Sequence, residues 1–441
     1  MNNNDTIFAL SSGHGKSGVA VIRISGDNLH DTFSQFISKS DFSPRHAYFC
    51  NLHDTAGDLI DQCLAIYFPA PHSFTGTDII ELHTHGAPAT INAVFEYLKT
   101  LGMRMATPGE FSRRAFYNNK MDLADIDGLA ALLDAQTDNQ RKHALRSMLG
   151  HDSQIYSTWR EQMVEISAYA AAILDYNSDD LPANITETIM TRTRHLHTEI
   201  SNALAKYKTA RAIRGGINIV LCGQTNAGKS SIFNYLVGAN RAIVSDIAGT
   251  TRDVVSVNLD LDGFLVNLSD TAGIRETDDE IENIGIERTK KELENADIIL
   301  NVFTPETTFL YKTGSDNLAT ESSIKINIVN KSDTSTDFDS RFDLYVSAKT
   351  GDGMPQLLEL LRTKIHEITD GAESGVSINA RTHALLEQAC SDLNSAIKSG
   401  DNFDIFAEHT RRAADAIGKI LGTITTTEVL DKTFGQLCLG K

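Results

Sequence analysis

The feature that most constrains the fold is a G-x-x-x-x-G-K-S motif at residues 223–230, between an apolar strand and a helical segment. A loop of this composition turns its backbone N–H groups inward, and the following helix adds the positive end of its dipole. Both features bind phosphate, and the motif is typical of a doubly wound α/β domain. Lys229 is predicted to reach the outer phosphates of a nucleotide, and the Ser230 hydroxyl to coordinate Mg²⁺.

An aspartate and a switch-type loop accompany this motif. Asp270 ends a strand predicted at residues 265–269 and begins a D-x-x-G sequence, so its carboxylate is expected near Mg²⁺ and the Gly273 N–H near the γ-phosphate. The sequence G-T-T-R-D at residues 249–253 lies between the phosphate loop and Asp270. A loop in this position would offer the Thr251 hydroxyl to Mg²⁺.

A base-recognition motif indicates guanine. The sequence N-K-S-D at residues 330–333 follows another predicted strand, and S-A-K at residues 347–349 follows the last one. The Asp333 carboxylate is an acceptor only, so it pairs with the two adjacent donors on guanine. Adenine presents no such donor pair. Each short motif is weak alone, but together and in this order they predict a GTP-binding domain.

Binding does not by itself predict hydrolysis. Many small GTPases place a glutamine directly after the D-x-x-G sequence to orient the attacking water. Ile274 occupies that position here and cannot do this. The catalytic group must therefore come from elsewhere in the chain or from a partner.

The pattern of apolar residues divides the 441-residue chain into four segments. Residues 1–118 mix short β-branched runs with turns, which predicts an α+β domain. Residues 119–214 and 369–441 show apolar residues three and four apart, which predicts helices. Residues 215–368 alternate strands and helices, as an α/β domain does. The simplest architecture inserts that domain between two halves of one helical domain, with residues 304–323 as a polar loop.

The composition limits the possible functions. The net charge is −18 with a pI near 5.2, which argues against a general nucleic-acid coat. The first residues lack the basic and apolar regions of a signal peptide, and no apolar run is long enough to span a membrane, so we expect a cytoplasmic protein. The five cysteines are scattered without a C-x-x-C pair, which favours neither a disulfide framework nor a zinc site.

Longer motifs resemble the MnmE (TrmE) family of tRNA-modification GTPases over essentially the whole chain. The N-terminal and C-terminal motifs are more selective than the nucleotide motifs, which many proteins share. The resemblance rests on TNAGKSS (225–231), IAGTTRD (247–253), DTAGIRE (270–276), IGIER (284–288), VIRISG (21–26), PGEFSRRAF (108–116) and CLGK (438–441).

The resemblance implies a K⁺-stimulated GTPase whose G domains dimerise across the nucleotide. In that family a bound K⁺ replaces an arginine finger, held by residues matching Asn226, Ser245, Ile247 and Thr250, while Ser230 and Thr251 hold Mg²⁺. Glu282 matches the catalytic glutamate that orients the water. The implied GTP contacts are Asn226, Ala227, Gly228, Lys229, Ser230, Ser231, Ser245, Asp246, Ile247, Ala248, Gly249, Thr250, Thr251, Asp270, Thr271, Ala272, Gly273, Asn330, Lys331, Asp333, Ser347, Ala348 and Lys349.

The resemblance also implies that the N-terminal α+β domain binds a formyl- or methylene-tetrahydrofolate and holds a homodimer together. The matching folate-binding positions are Arg23, Glu81, Lys120 and Lys441. From the residues alone, Arg23 is also compatible with an edge charge on a strand, Glu81 and Glu282 with surface acids, and Asn226 with a loop cap. His83 and His85 share one strand face but lack further metal ligands, and Cys438 lacks an identifiable base.

The implied function is modification of the wobble uridine of certain tRNAs to a 5-carboxymethylaminomethyl or aminomethyl form, together with the FAD-dependent MnmG protein. An alternative is a regulatory or ribosome-assembly GTPase that modifies nothing. Phosphate contacts with tRNA are expected at local basic residues or through MnmG. The candidate basic residues are Arg113, Arg114, Arg141, Lys142 and Arg146.

Overall fold

The computed structural model describes residues 5–176, 181–243, 255–270, 291–312, 323–334, 339–370 and 376–422. The chain divides into two units. The first comprises Met1–Ala130, Ser147–Arg192 and Ser391–Lys441, and the second Ala131–Arg146 and Thr193–Cys390. None of the helices in these described ranges has the length and apolar character needed to cross a bilayer.

A six-stranded sheet forms the β part of the first unit. Its strands are β1 (Ile7–Leu10), β2 (Ser17–Gly26), β3 (Tyr48–His53), β4 (Leu59–Phe68), β5 (Asp78–Gly86) and β6 (Arg104–Met105). The spatial order is β3-β4-β5-β2-β1-β6, antiparallel throughout except for the parallel pair β1 and β6. Central strands β2 and β5 therefore lie side by side, with Arg23 directly opposite Glu81.

One face of this sheet packs against helices α1 (His30–Ile37) and α2 (Pro88–Thr100). Side chains alternate along each strand, so every second residue enters this core. Ile22, Ile24 and Leu82 are completely buried on that face. Arg23 and Glu81, at the intervening positions, consequently point to the other face.

The helices of the first unit come from distant parts of the chain. Helix α3 spans Glu110–Tyr117, α6 spans His151–Asp175 and α12 spans Phe403–Leu421. Helices α6 and α12 pack against each other, although the whole nucleotide-binding segment separates them in sequence. Their contact joins helical segments that precede and follow the nucleotide motifs in the sequence.

The second unit contains a seven-stranded sheet. Its strands are β7 (Ile217–Gly223), β8 (Arg241–Ile243), β9 (Val255–Leu261), β10 (Phe264–Asp270), β11 (Ile298–Phe303), β12 (Ile324–Val329) and β13 (Leu344–Tyr345). They lie in the order β13-β12-β11-β7-β10-β9-β8, with β13 through β10 parallel and β9 and β8 antiparallel at one edge. The predicted doubly wound α/β fold is confirmed, with β7 at its centre.

Helices α8 (Tyr207–Gly215), α9 (Lys229–Ala239) and α10 (Met354–Thr369) belong to the second unit. Helices α4 (Leu123–Asp134), α5 (Asp138–Met148), α7 (Ile185–Ala205) and α11 (Ala380–Lys398) each include residues of both units. The prediction of a loop throughout residues 304–323 is wrong at its start, because Pro305–Lys312 forms a 3₁₀ helix. Proline at its first position and Thr304–Thr307 hydrogen bonds favour this short helix.

A buried ionic network joins the N-terminus of the first unit to α3. Glu110 is 6% exposed and accepts hydrogen bonds from the Arg104 guanidinium and from the Thr107 backbone N–H. Arg114 lies within 3.5 Å of the same carboxylate and also donates to Asp5. Burial alone would raise the pKa of Glu110, but these donors and positive charges outweigh it and hold the pKa at about 2.

We expect Glu110→Gln to lower the free energy of unfolding by about 2 kcal/mol at pH 7, because Arg104 and Arg114 lose their shared anion. The folded-state pKa lies below the unfolded value, so ionised Glu110 stabilises the fold above about pH 4.5. That contribution is lost as the pH falls from about 4.5 to about 2. Urea unfolding of both proteins across this range measures the difference.

Glu96→Gln, which breaks an exposed pair with Lys99, is the control and should change stability by less than about 0.5 kcal/mol. If the difference in the free energy of unfolding between Glu110→Gln and the unmodified protein does not change with pH, the low pKa assigned to Glu110 is wrong.

Candidate functional site

The phosphate loop leaves the carboxyl end of central strand β7 and enters helix α9 at Lys229. Asn226 and Gly228 both adopt positive φ, +64° and +91°, which turns the loop back over the helix N-terminus. The Lys229 ammonium donates to the carbonyls of Gly223 and Gln224 at 2.7 and 2.9 Å, so it lies within the curve of the loop. Burial lowers the pKa of Lys229, and the negative charge of Asp270 opposes this. An anionic phosphate would stabilise the charged ammonium at this position.

A hydroxyl and a carboxylate meet beside the loop. The Ser230 hydroxyl donates to Asp270 Oδ2 at 2.8 Å, and Asp270 is 4% exposed at the end of β10. The two residues are 40 positions apart in sequence, and the parallel pairing of β7 with β10 brings them together. Oxygen ligands of this kind are what Mg²⁺ prefers, so this pair fits the predicted Mg²⁺ position.

The base-recognition motifs form the other half of the nucleotide site. The Asn330 side chain donates to the Ala227 carbonyl at 2.9 Å and accepts from the Ala348 N–H at 3.1 Å. It therefore holds the phosphate loop and the S-A-K loop together. Asp333 accepts a hydrogen bond from the Ser347 hydroxyl at 2.8 Å, which orients the carboxylate proposed to read guanine. The sequence indicated each motif but not this bridging role of Asn330.

Other predicted nucleotide residues lie outside the described residues. They are Ser245, Asp246, Ile247, Ala248, Gly249, Thr250, Thr251, Thr271, Ala272, Gly273 and the catalytic candidate Glu282. Of the predicted K⁺ ligands, only Asn226 lies within the described residues, and of the Mg²⁺ ligands only Ser230. Lys441 and Cys438 in the C-terminal motif are also outside them.

In the first unit, the structure brings together two of the predicted folate residues. The Arg23 guanidinium donates to Glu81 Oε1 through Nε at 3.0 Å, and a second nitrogen lies 2.9 Å from the same oxygen. The guanidinium also lies over the rings of Phe74 and Phe111, 5.5 and 6.0 Å from their centroids. Sequence reasoning missed both phenylalanines. Phe111 belongs to the selective motif at residues 108–116, whereas no signal marked Phe74.

His83 extends this cluster along β5. Its Nε2 is buried, has no hydrogen-bond partner among the described residues and lies 3.6 Å from Glu81 Oε2. His85, two residues further on, pairs instead with Asp61 at 2.7 Å. The two histidines therefore have different carboxylate neighbours. Among the described residues, no group of three or more His, Cys, Asp or Glu side chains is arranged to hold a metal ion.

Lys120, another predicted folate residue, follows helix α3 in the first unit. It lines an open cleft of about 520 Å³ together with Tyr117, Asp125, Arg160 and Gly422. Arg23 and Glu81 are not among the residues that line this cleft. Burial raises the pKa of Asp125, and the neighbouring Asp122 adds to this. The cleft thus combines basic, acidic and aromatic side chains.

The basic residues considered for tRNA contact differ in their exposure. Arg114 is 4% exposed and is held by the ionic network around Glu110, so its predicted availability to RNA is wrong. Arg141 and Lys142 are exposed on α5, where both pair with Asp138 at 2.7 and 2.8 Å. One carboxylate between two cations leaves this turn of α5 with a positive charge. Arg113 and Arg146 are partly buried.

Comparison with known families matches two family descriptions to the chain. A family described as the MnmE helical domain matches residues 123–438, and one described as the GTP-binding protein TrmE N-terminus matches residues 6–120. A Brucella ovis protein named tRNA modification GTPase MnmE is 38% identical over 444 residues, which cover 99% of this chain and 98% of that protein. A Brucella abortus protein of the same name gives the same identity and coverage.

Among solved structures, the G domain of the T. maritima FeoB iron transporter is 22% identical, with a TM-score of 0.24, over 35% of this chain and 99% of that one. An Aquifex aeolicus Era variant is 24% identical, with a TM-score of 0.26, over 40% of this chain and 66% of that one. The family matches and the full-length relatives agree with the nucleotide motifs and the geometry of the site. The chain belongs to the MnmE (TrmE) family.

Proposed function

We propose that this chain, a GTPase of tRNA modification, is stimulated by K⁺ and acts with the FAD-dependent MnmG protein on the wobble uridine of certain tRNAs. The product would carry a 5-carboxymethylaminomethyl or aminomethyl group. The observation that carries the GTPase part is the convergence of Lys229, Ser230 and Asp270 with the guanine motif at one edge of a parallel sheet. The full-length similarity to proteins named tRNA modification GTPase MnmE supports the tRNA part.

Three sets of residues in this chain account for the binding of the phosphates, the Mg²⁺ and the base. The inward-facing phosphate loop and the N-terminus of α9 bind the phosphates, with Lys229 as the charged donor. Ser230 and Asp270, which share a hydrogen bond, would hold the Mg²⁺ that accompanies the nucleotide. Asp333, oriented by Ser347, accepts from the guanine ring N–H and amino group.

K⁺ is proposed to supply the positive charge that an arginine finger supplies in other GTPases. Asn226 is the described residue that supports this, because it lies in the phosphate loop with a left-handed backbone conformation. Its side-chain oxygen is a suitable ligand for a monovalent cation. Ser245, Ile247 and Thr250 complete the proposed ligand set, and Glu282 is the proposed residue that orients water.

GTP hydrolysis should be faster in K⁺ than in Na⁺ buffer by at least about ten-fold, since the cation offsets charge that develops on the phosphates. Asn226→Ala should abolish the stimulation while leaving binding of a fluorescent GDP analogue within about three-fold. Phosphate release in matched chloride salts measures the first effect. Equal, slow hydrolysis in both salts would remove the K⁺ mechanism and favour the alternative of a regulatory switch.

Guanine recognition can be tested at Asp333. The Asp333→Asn substitution replaces one acceptor by a donor, so we expect GTP affinity to fall on the order of 100-fold and xanthosine triphosphate affinity to rise. Xanthine carries a carbonyl where guanine carries its amino group, so the new amide can donate to it. Asp352→Asn, in the neighbouring exposed turn, is the control and should leave GTP affinity unchanged. Unaltered preference for GTP in Asp333→Asn would contradict this role.

The folate proposal rests on the Arg23, Glu81, Phe74 and Phe111 cluster. A guanidinium offers several donors in a fixed plane, which suits the carboxylates of a glutamyl tail. Glu81 is an acceptor suited to the donor edge of a pterin. The rings of Phe74 and Phe111 offer the pterin surfaces on which to stack. Lys120 and Lys441 are proposed to contribute further positive charge. The folate would supply the one-carbon unit.

We expect Arg23→Lys to weaken binding of 5-formyltetrahydrofolate by about ten-fold or more, because lysine keeps the charge but loses the planar donor fork. Calorimetric titration of the folate measures the affinity. Arg45→Lys is a matched control, since Arg45 also lies over a phenylalanine ring, 5.4 Å from Phe68, in the same unit. If both substitutions change folate affinity equally, Arg23 has no special role.

Homodimerisation and the partnership with MnmG and tRNA complete the proposal. The net charge of −18 means that phosphate contacts must be local, or must come largely from MnmG. Among the described residues, the exposed side chains of Arg141 and Lys142 on α5 are available for such local phosphate contacts. Cycles of GTP hydrolysis would shift the population of G-domain arrangements and so couple nucleotide state to the modification reaction.

A further inference from the structure

Two thiols face each other inside the six-stranded sheet of the first unit. Cys50 on β3 lies directly opposite Cys63 on β4, and their Sγ atoms are 3.3 Å apart. Both side chains are buried, with 4% and 3% exposed. The other two described cysteines have no such arrangement, since Cys222 lies at the end of β7 and Cys390 Sγ contacts the Ser201 hydroxyl at 3.2 Å.

The backbone at this pair already suits a disulfide. Directly opposite residues in an antiparallel pair have Cα atoms about 4.5 to 5.5 Å apart. Disulfides join Cα atoms about 4.4 to 6.8 Å apart, so the strands need not move. The two Sγ atoms of Cys50 and Cys63 need to approach by only about 1.2 Å to reach the bonded distance of about 2.05 Å. Small side-chain rotations can provide that approach.

The environment makes the two thiols chemically unequal. Hydrogen bonding with the Cys63 sulfur lowers the pKa of Cys50, although burial opposes this. The same hydrogen bond raises the pKa of Cys63, and burial adds to the effect. Cys50 is therefore the sulfur that more readily becomes a thiolate, the form that reacts with oxidants.

Local opening of the sheet edge would admit a small oxidant to the buried pair. Strand β3 is the edge strand and pairs only with β4 within the sheet. Edge elements open locally at lower free energy than central strands do. The adjacent Phe49 is 63% exposed on the opposite face of β3, so this strand is not covered on that side in the described chain.

We propose that Cys50 and Cys63 are a redox-reactive dithiol that hydrogen peroxide converts into a reversible cross-strand disulfide. The Cys50 thiolate attacks one peroxide oxygen, the O–O bond breaks, and one water leaves after proton transfer. The Cys63 sulfur then attacks the Cys50 sulfenic acid, forming the S–S bond and releasing a second water. In total, two thiols lose two electrons and one peroxide is reduced to two waters.

The disulfide would tie edge strand β3 to β4 and protect both sulfurs from irreversible oxidation. A sulfenic acid without a nearby thiol proceeds to sulfinic acid, whereas one 3.3 Å from a thiol is captured first. A thiol reductant would restore the dithiol. None of the nucleotide motifs contributes a residue to this chemistry, because they belong to the second unit.

The test is mass spectrometry of the full-length protein after exposure to low peroxide under native conditions. Free thiols are alkylated in denaturant, and the chain is cleaved before aspartate. Asp54, Asp58 and Asp61 lie between the two cysteines, so cleavage separates their peptides unless a disulfide joins them. We expect most molecules to yield the joined Cys50 and Cys63 peptides, and a thiol reductant to separate them.

Variants distinguish capture by Cys63 from general oxidation. In Cys63→Ser, the joined peptides should disappear and Cys50 should be found as sulfenic acid, trapped by dimedone. Cys390→Ser is the matched control, since it removes a thiol from the second unit and should leave the joined peptides unchanged. The proposal is overturned if the unmodified protein, after native peroxide exposure, yields Cys50 and Cys63 as separate alkylated or sulfinic forms.

Discussion

The Asn330 side chain makes the contact on which the nucleotide domain depends. Its amide donates to Ala227 in the phosphate loop, and its oxygen accepts from the Ala348 N–H. A side chain at Gly228 would overlap the Asn330 amide, so glycine is required both there and for the positive φ of the loop. One buried amide thus fixes the distance between the part that binds phosphate and the part that reads the base. Ser230 and Asp270 then form the proposed Mg²⁺ position at the neighbouring strand end.

The first unit depends on buried charge in a different way. Asp5, Arg104, Glu110 and Arg114 form a network of two acids and two bases that joins the start of the chain to α3. Each buried charge has a partner of opposite sign, which offsets the cost of removing it from water. The same helix carries Phe111, which lies under Arg23. The network therefore also positions part of the proposed folate cluster.

The family's two proposed chemistries are carried by separate sets of residues in the two units. Nucleotide binding uses loops at the carboxyl ends of parallel strands, where backbone N–H groups and helix N-termini are concentrated. The proposed folate cluster instead uses side chains from the middle of antiparallel strands β2 and β5, where Arg23 and Glu81 are direct neighbours. The residues of the nucleotide site belong to short contiguous motifs. The proposed folate cluster depends on which strands pair and in what register.

This difference explains how much the sequence predicted. The phosphate loop, the guanine motif, the fold classes and the family all follow from residues close together in the chain, because a phosphate-binding turn needs its glycines and lysine at fixed spacing. The tertiary structure alone decided that Arg23 contacts Glu81 across 58 positions and that Arg114 is buried rather than available to RNA. It also decided that Cys50 and Cys63, which share no motif, lie in contact. Cross-strand register sets the contacts of Arg23 and of the two cysteines. Packing against distant segments sets the burial of Arg114. Neither can be predicted from the spacing of residues within a short motif.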